Sequence, residues 1–350
     1  MNILIVKTSA IGDVTHTLPA LHAIRKKYPD AHITWLIEEA ASDLIIGHKA
    51  LDRVLVSKRK RWLRDLKKGP RRRAALKEAY HFLKELRDTE YDLLIDFQSL
   101  LKSGILIALT RAKRKVGFDK GMEHAEHSHI FLNERIPPVD MDYHAILREL
   151  MLLKAIGIGD DREIVFDVPI ADEDRDAVRR LLAAQGIAGA KPLVAINPQA
   201  TWETKQWKRG EFAALADRLL EEGYDVVFTG SGDDREEVRD IISRMRNRCG
   251  NLTGETSLKT LAALYERADV VVSTDTGPMH IAAAVGTPVV ALFGPTAPWR
   301  TGPFGEKHKV VRLGLPCSPC FKRQCPTIDC MQQITVDQVV NAVQEILRNN

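Results

Sequence analysis

Three short stretches of this 350-residue chain hold side chains able to move a proton or neutralise phosphate charge. The first is Lys7-Thr8-Ser9-Ala10-Ile11-Gly12-Asp13, directly after the apolar run Ile3-Leu4-Ile5-Val6. Its single glycine is too few for a G-x-G-x-x-G dinucleotide fingerprint, and it lacks the G-K-[ST] of a P-loop. An NAD-dependent dehydrogenase is therefore disfavoured. Gly12 lets the backbone turn tightly, and Asp13 then stands at a helix start. Two roles remain open for that carboxylate: a helix cap worth about 1 kcal/mol, or a general base removing a proton from an acceptor hydroxyl.

The second stretch is Ser273-Thr274-Asp275-Thr276-Gly277-Pro278-Met279-His280. Pro278 fits a first helical turn, where its missing N–H costs nothing. Gly277 admits close approach of a ligand to the backbone, and a helix N-terminus there suits a diphosphate. Thr276 adds a hydroxyl donor, and His280 follows one turn on. Asp275 would repel phosphate unless it accepts backbone N–H bonds, so it reads as an organiser of the loop. The third stretch is Thr201-Trp202-Glu203-Thr204-Lys205-Gln206-Trp207. Lys205 can meet a phosphate as a point charge, while the two indoles equally suit a loop capping a core. A weaker feature is Gly230-Ser231-Gly232-Asp233-Asp234-Arg235-Glu236-Glu237, whose acids can hold a ribose hydroxyl pair.

These loops need a scaffold that presents strand ends, and the hydrophobic pattern supplies one. Apolar runs of strand length recur at 3–6, 33–37, 54–56, 93–97 and 116–118, with helical periodicity over 14–27, 72–87 and 100–111. A helix at 144–156, a short run at 164–166 and a polar helix at 172–185 follow. Gly186, Gly189 and Pro192 then break the pattern. A second series has strands at 193–197, 225–229, 269–273 and 288–293 among helices at 211–221, 234–246, 257–267 and 278–285. An amphipathic helix from Val336 to Leu347 follows Thr335, a suitable N-cap. Alternating strand and helix imply parallel sheets covered on both faces, whose ligands bind beyond the carboxyl ends of strands. The expected fold class is thus α/β, with two Rossmann-like domains facing across a cleft. The expected bounds are 1–175, 190–333 and a C-terminal helix in 334–350 that packs back on the first domain.

Composition agrees with two such domains. The chain is 45% hydrophobic and 28% charged, ordinary for a globular protein and too apolar for disorder. No stretch nears the ~20 apolar residues of a spanning helix. The N-terminus reads as a buried strand, not a signal peptide, which predicts a cytoplasmic protein. Formal net charge is only +4, yet residues 58–73 carry +9 and the remainder −5. That segment holds Lys58, Arg59, Lys60, Arg61, Arg64, Lys67, Lys68, Arg71, Arg72 and Arg73 against Asp65. It suits an anionic partner or a solvated face, and Trp62 with Leu63 adds an apolar anchor fitting a lipid headgroup region. Nucleic acid is not expected, because stacking aromatics beyond Trp62 are missing and the remainder is acidic. Four of the five cysteines, Cys317, Cys320, Cys325 and Cys330, follow C-x2-C-x4-C-x4-C. A structural zinc site is one reading of that spacing; free thiols or a redox-labile disulfide are the other.

The motifs together resemble the lipopolysaccharide heptosyltransferases, most closely the type I enzymes. The resemblance rests on Lys7-Thr8-Ser9, Gly12-Asp13-Val14, His16-Thr17-Leu18-Pro19-Ala20-Leu21 and Ile95-Asp96-Phe97-Gln98-Ser99-Leu100-Leu101-Lys102-Ser103. It continues through Lys205-Gln206-Trp207, Asp275-Thr276-Gly277 and His280, and includes the basic Arg61-Trp62 stretch. Ser99 stands where the family pattern has glycine, and the cysteine cluster departs from the best-known enterobacterial members. The resemblance implies a GT-B fold and metal-independent, inverting transfer of heptose from ADP-heptose to the Kdo sugars of a lipid A precursor. It makes Asp13 the base. Lys205 and Thr201 would contact the donor phosphates, Lys205 with a catalytic part, and Glu236 the ribose. Asp275, Thr276, Gly277 and His280 would form the diphosphate site. Ser9, Gly12, Arg61, Arg64, Gln98 and Lys102 would face the acceptor, and segment 58–73 the cytoplasmic surface of the inner membrane. No cofactor is implied. Two alternatives share this fold: type II transfer onto the first heptose, and a nucleotide-sugar epimerase, which would consume donor without acceptor.

Overall fold

A computed structural model describes residues 1–67, 71–122, 125–159 and 163–349, which leaves Lys68 of the basic segment outside the described residues. The chain divides into two compact units between Pro169 and Ile170. In the first, β1 (Asn2–Val6), β2 (His32–Glu38), β3 (Arg53–Ser57), β4 (Glu90–Asp96), β5 (Arg111–Phe118) and β6 (Glu134–Ile136) form one sheet. Its order is β3-β2-β1-β4-β5-β6, and every pairing is parallel. The helices that cover it are α1 (Ile11–Lys27), α2 (Arg59–Lys67), α3 (Arg72–Arg87), α4 (Leu101–Leu109) and α5 (Ala145–Ala155). Leu4, Val6, Leu36, Leu55 and Leu94 meet Phe82, Leu86 and Ile107 in a core beneath them.

The second unit repeats the plan. Strands β7 (Leu193–Asn197), β8 (Asp225–Phe228), β9 (Gly250–Asn251), β10 (Val270–Thr274), β11 (Val289–Leu292) and β12 (Lys309–Val311) pair in the order β12-β11-β10-β7-β8-β9. Helices α6 (Asp172–Ala184), α7 (Arg209–Glu221), α8 (Arg235–Ser243), α9 (Leu258–Arg267), α10 (Gly277–Ala284) and α11 (Val336–Asn349) flank it. In each sheet the first strand lies beside the fourth, so chain direction across the sheet reverses between them. That reversal leaves a crevice at the carboxyl ends where ligands bind. Register puts Val6 opposite Asp96 in one sheet and Asn197 opposite Ser273 in the other. The loops singled out from the sequence therefore start side by side within each unit.

Several expectations differ from the structure. Arg111 to Phe118 is one long strand, and the expected helix at 100–111 stops at Leu109. The run at 164–166 is not a strand. Much of the basic segment is helical, as α2, because Trp62 and Leu66 recur at helical spacing against the first core. Most consequential is α11. Val339, Val340, Val343 and Ile346 bury its apolar stripe against α7 and β10 to β12, so the helix belongs to the second unit's core, whereas an arm returned to the first was expected.

Candidate functional site

In the first unit, the loop after β1 enters α1, and Asp13 occupies the third helical position. Its Oδ2 accepts the Ala10 N–H at 2.8 Å, so the capping role is real. The side chain is also exposed. A carboxylate has about four acceptor positions, so one capping bond leaves capacity for a hydroxyl proton. Gly12, beside it, is buried.

The loop is held from below and from both sides. Lys7 Nζ is buried, donating to Phe97 O and to Glu149 Oε1, each at 2.8 Å. Burial alone would lower the Lys7 pKa, but Glu149, Asp13 and Asp96 together raise it, which keeps the ammonium charged. Gln98 Oε1 accepts the Thr8 N–H at 2.7 Å, the Thr8 hydroxyl at 2.8 Å and the Ser9 N–H at 2.9 Å. Gln98 is thus first an organiser of the loop, although it stays half-buried beside it. Its own turn is fixed by Asp96 Oδ1, which accepts the Gln98 and Ser99 N–H groups at 3.0 and 3.2 Å. Burial pushes the Asp96 carboxyl up. Ser99 sits at φ 56°, the left-handed region, which explains why glycine suits this position in the pattern it resembles. Lys102 Nζ donates to Ser9 Oγ at 2.5 Å and lies 3.4 Å from Glu38 Oε1.

The basic segment is arranged differently from its sequence reading. Trp62 is buried; its ring packs on Phe82 at 5.3 Å and its Nε1 donates to Glu78 at 3.1 Å. It is a core residue and not an apolar anchor for lipid. Arg61 bridges Glu39 at 3.2 Å and Glu78 at 2.7 Å, and Arg64 lies 3.4 Å from Asp65 on an open surface. Arg59 and Lys60 instead turn toward Glu38, at 3.1 and 3.8 Å.

In the second unit, Lys205 Nζ pairs with Asp275 Oδ2 at 2.7 Å and lies 4.5 Å above the centre of the Trp202 ring. The Thr296 hydroxyl donates to the same Oδ2 at 2.6 Å. Asp275 thus organises the site through a lysine and a hydroxyl, whereas backbone N–H groups were the expected partners. Thr276 is the N-cap residue of α10, but its hydroxyl makes no capping bond; Gly277 and Pro278 open the helix, half exposed. Thr274 Oγ1 donates to Gln199 O at 2.9 Å and ties this loop to the one after β7. Thr201 is exposed on that second loop, and His280 is buried within α10. The two indoles part company: Trp207 is buried and bonds Ile334 O at 2.9 Å, while Trp202 serves as a platform for cations. Glu236 lies exposed in the first turn of α8, whereas Asp234 caps Ser231 through N–H and hydroxyl bonds of 2.7 and 2.6 Å.

The cysteine-bearing segment buttresses this site. Cys320 and Phe321 donate their N–H groups to Pro295 O at 2.9 and 2.8 Å, next to Thr296. Lys322 O accepts the Thr204 hydroxyl at 2.8 Å, and Arg323 lies 4.9 Å from the Trp202 ring centre. All five cysteines are free thiols. Among the described residues no three His, Cys, Asp or Glu side chains are arranged to hold a metal, so the zinc reading of Cys317, Cys320, Cys325 and Cys330 is not supported. Cys317 and Cys325 face solvent, while burial raises the Cys330 thiol. Sequence reasoning missed Glu38, Glu149, Thr296 and Arg323. The one signal present was Lys7 itself, a cation directly after a buried strand.

A profile of glycosyltransferase family 9 (heptosyltransferase) matches residues 79–330. The chain is 32% identical to lipopolysaccharide heptosyltransferase 1 of Pseudomonas aeruginosa, over 93% of this chain and 87% of that protein. The E. coli heptosyltransferase WaaC, solved with ADP, superposes with a TM-score of 0.79 at 25% identity, covering 99% of this chain and 100% of that one. A family 9 glycosyltransferase from Veillonella parvula superposes at 0.83 with 23% identity, covering 100% and 98%.

Proposed function

The chain belongs to glycosyltransferase family 9, the heptosyltransferases, and from that premise we propose that it moves heptose from ADP-heptose to the Kdo–lipid A inner core. It is a GT-B glycosyltransferase of lipopolysaccharide core assembly. The finer assignment, type I transfer to Kdo, rests on the opening motif and on the type 1 relative.

The observation that carries the reading is Lys205 held between Asp275 and Trp202, beside the open N-terminus of α10. When the sugar C1–O bond breaks, its electron pair leaves with the diphosphate. Lys205 and the N–H groups around Thr276 and Gly277 are placed to stabilise that growing charge. The sugar carbon passes through an oxocarbenium-like state, so the acceptor oxygen must attack from the opposite face. Asp13 takes the proton which that hydroxyl gives up as its bond to C1 forms. Thr201 supports the donor phosphates, and Glu236, exposed after β8, the ribose. Ser9, Gly12 and Lys102 lie on the acceptor side.

The acceptor is lipid-linked, so we also assign the protein a peripheral place on the cytoplasmic surface of the inner membrane. Among the described residues no helix is long and apolar enough to cross a membrane.

The direct test is Asp13→Ala. Transfer should fall by about 10³-fold or more, while ADP affinity measured by calorimetry stays within about twofold, because the donor groups lie on other loops. Loss of ADP binding in that variant would reduce Asp13 to a structural cap. A mass-spectrometric panel of Kdo- and heptose-terminated acceptors separates type I from type II transfer.

A further inference from the structure

Glu38 is the last residue of β2, only 5% exposed, and three cations converge on its carboxylate. Arg59 Nη2 lies 3.1 Å and Lys102 Nζ 3.4 Å from Oε1, and Lys60 Nζ lies 3.8 Å from Oε2. Two of them, Arg59 and Lys60, come from α2 and the third from α4, and Lys102 also donates to Ser9 in the loop that carries Asp13. The Glu38 backbone joins the same loop, its N–H donating to Thr8 O at 3.0 Å. Oε2 is buried without a hydrogen-bond partner, since Lys60 stands beyond hydrogen-bond reach. A buried carboxylate needs a cationic partner, but one ion pair would meet that need; three cations around it, with Oε2 still unsatisfied, go beyond what holding the fold requires.

We propose that Glu38 is a positioning residue that gathers Lys102, Arg59 and Lys60 into one receptor for the acceptor's anionic groups beside Asp13. The inference rests on the reading of this loop as the acceptor side. Three like charges cannot share so small a region unaided, because each repels the others and each has a long, mobile stem. One buried carboxylate lets them converge and still leaves the cluster with a net charge of about +2. The carboxylates and phosphates of the acceptor then meet cations already in place, a preorganised site that needs no rearrangement. Arg61, committed to Glu39 and Glu78, is poorly placed for this work.

Charge alone predicts the opposite of positioning, which makes the experiment decisive. Removing the Glu38 carboxylate raises the local positive field, so a purely electrostatic role predicts a lower acceptor KM in Glu38→Gln. Positioning predicts an acceptor KM about tenfold higher, with kcat and the donor KM within about threefold of wild type. Glu38→Asp keeps the charge but draws it back by one methylene. It should also raise acceptor KM, and it serves as the reporter should Glu38→Gln fail to fold. The double variant Glu38→Gln/Lys102→Met should lose less than the two single losses combined, since Lys102 is one of the three cations that Glu38 holds. These assays use the full chain with ADP-heptose and a Kdo-bearing lipid A acceptor. An acceptor KM unchanged or lowered in Glu38→Gln, or unchanged in Glu38→Asp, overturns the positioning role. A fall in kcat without a rise in acceptor KM does so too, reducing Glu38 to a brace for the Asp13 loop. If Lys102→Met leaves acceptor KM untouched, the acceptor-side reading itself fails. If that variant raises KM and Glu38→Gln does not, only the inference falls.

Discussion

The Lys205 ammonium rests against Asp275 and over Trp202, so its charge is held and partly answered before the diphosphate we propose for it arrives. A fixed cation stabilises a transition state better than a mobile one because no reorganisation is needed as charge develops. Asp275→Asn keeps the side-chain shape and its bond capacity for Thr296, but frees Lys205 to wander. We expect kcat/KM for donor to fall on the order of 10²-fold, about 2.7 kcal/mol of transition-state stabilisation. ADP affinity should be equal or tighter, because a repelling carboxylate has gone. Weaker ADP binding with normal kcat, read by calorimetry and steady-state kinetics, would show that Asp275 serves only to bind donor. Residues of this kind mark the limit of what sequence reveals. Asp13, Lys205 and Thr276 could be picked out as candidates because they stand on loops at strand ends, where function concentrates. The residues packed behind those loops, Glu38, Glu149 and Thr296, were not, because contacts such as Lys102 to Glu38 and Lys7 to Glu149, across 64 and 142 positions, depend on packing that no local pattern encodes.

Helices α2 and α3 show how the same residues read differently once an element has a direction. Trp62, the expected lipid anchor, points into the core with Phe82. The exposed apolar residues are Leu63 on α2 and Leu76, Tyr80 and Leu83 on α3, between 36% and 67% exposed. Positions 76, 80 and 83 share one helical face. At about 100° per residue, Arg72, Arg73 and Arg87 flank that stripe and Glu78 and Glu85 lie on the far side. An apolar stripe edged by cations suits an anionic bilayer surface, where buried apolar area and lipid charge act together. This supports the peripheral membrane reading from a different set of residues. The double change Leu76→Ser/Tyr80→Ser should cost on the order of 2 kcal/mol, about thirtyfold in partitioning to phosphatidylglycerol vesicles. Turnover of detergent-dispersed acceptor should stay unchanged. Undiminished sedimentation of that variant with the vesicles would remove α3 from the docking surface.

At the scale of the whole chain, two sheets with one strand order each carry their own core, and the order itself says where ligands go. The inner strands were plain in the sequence as continuous apolar runs, because parallel strands are buried on both faces. The edges β6, β9 and β12 were invisible, being two or three residues long and partly polar. The place of α11 was misjudged for a related reason: an amphipathic helix declares that it will bury one face, not which core will receive it. Since the groups we propose for the donor, Thr201, Lys205, Asp275 and Thr276, all belong to the second unit, ADP should act on that unit first. Binding to the native state alone adds about 2.7 kcal/mol at 100 times the dissociation constant. The gain should appear in hydrogen exchange as slowed amides over 198–208 and 275–280, with 7–13 and 97–102 unchanged. The same pattern should survive in Asp13→Ala. Protection centred on the loop after β1 instead would mean that nucleotide binds the first unit, and the assignment of donor and acceptor sides would have to be exchanged.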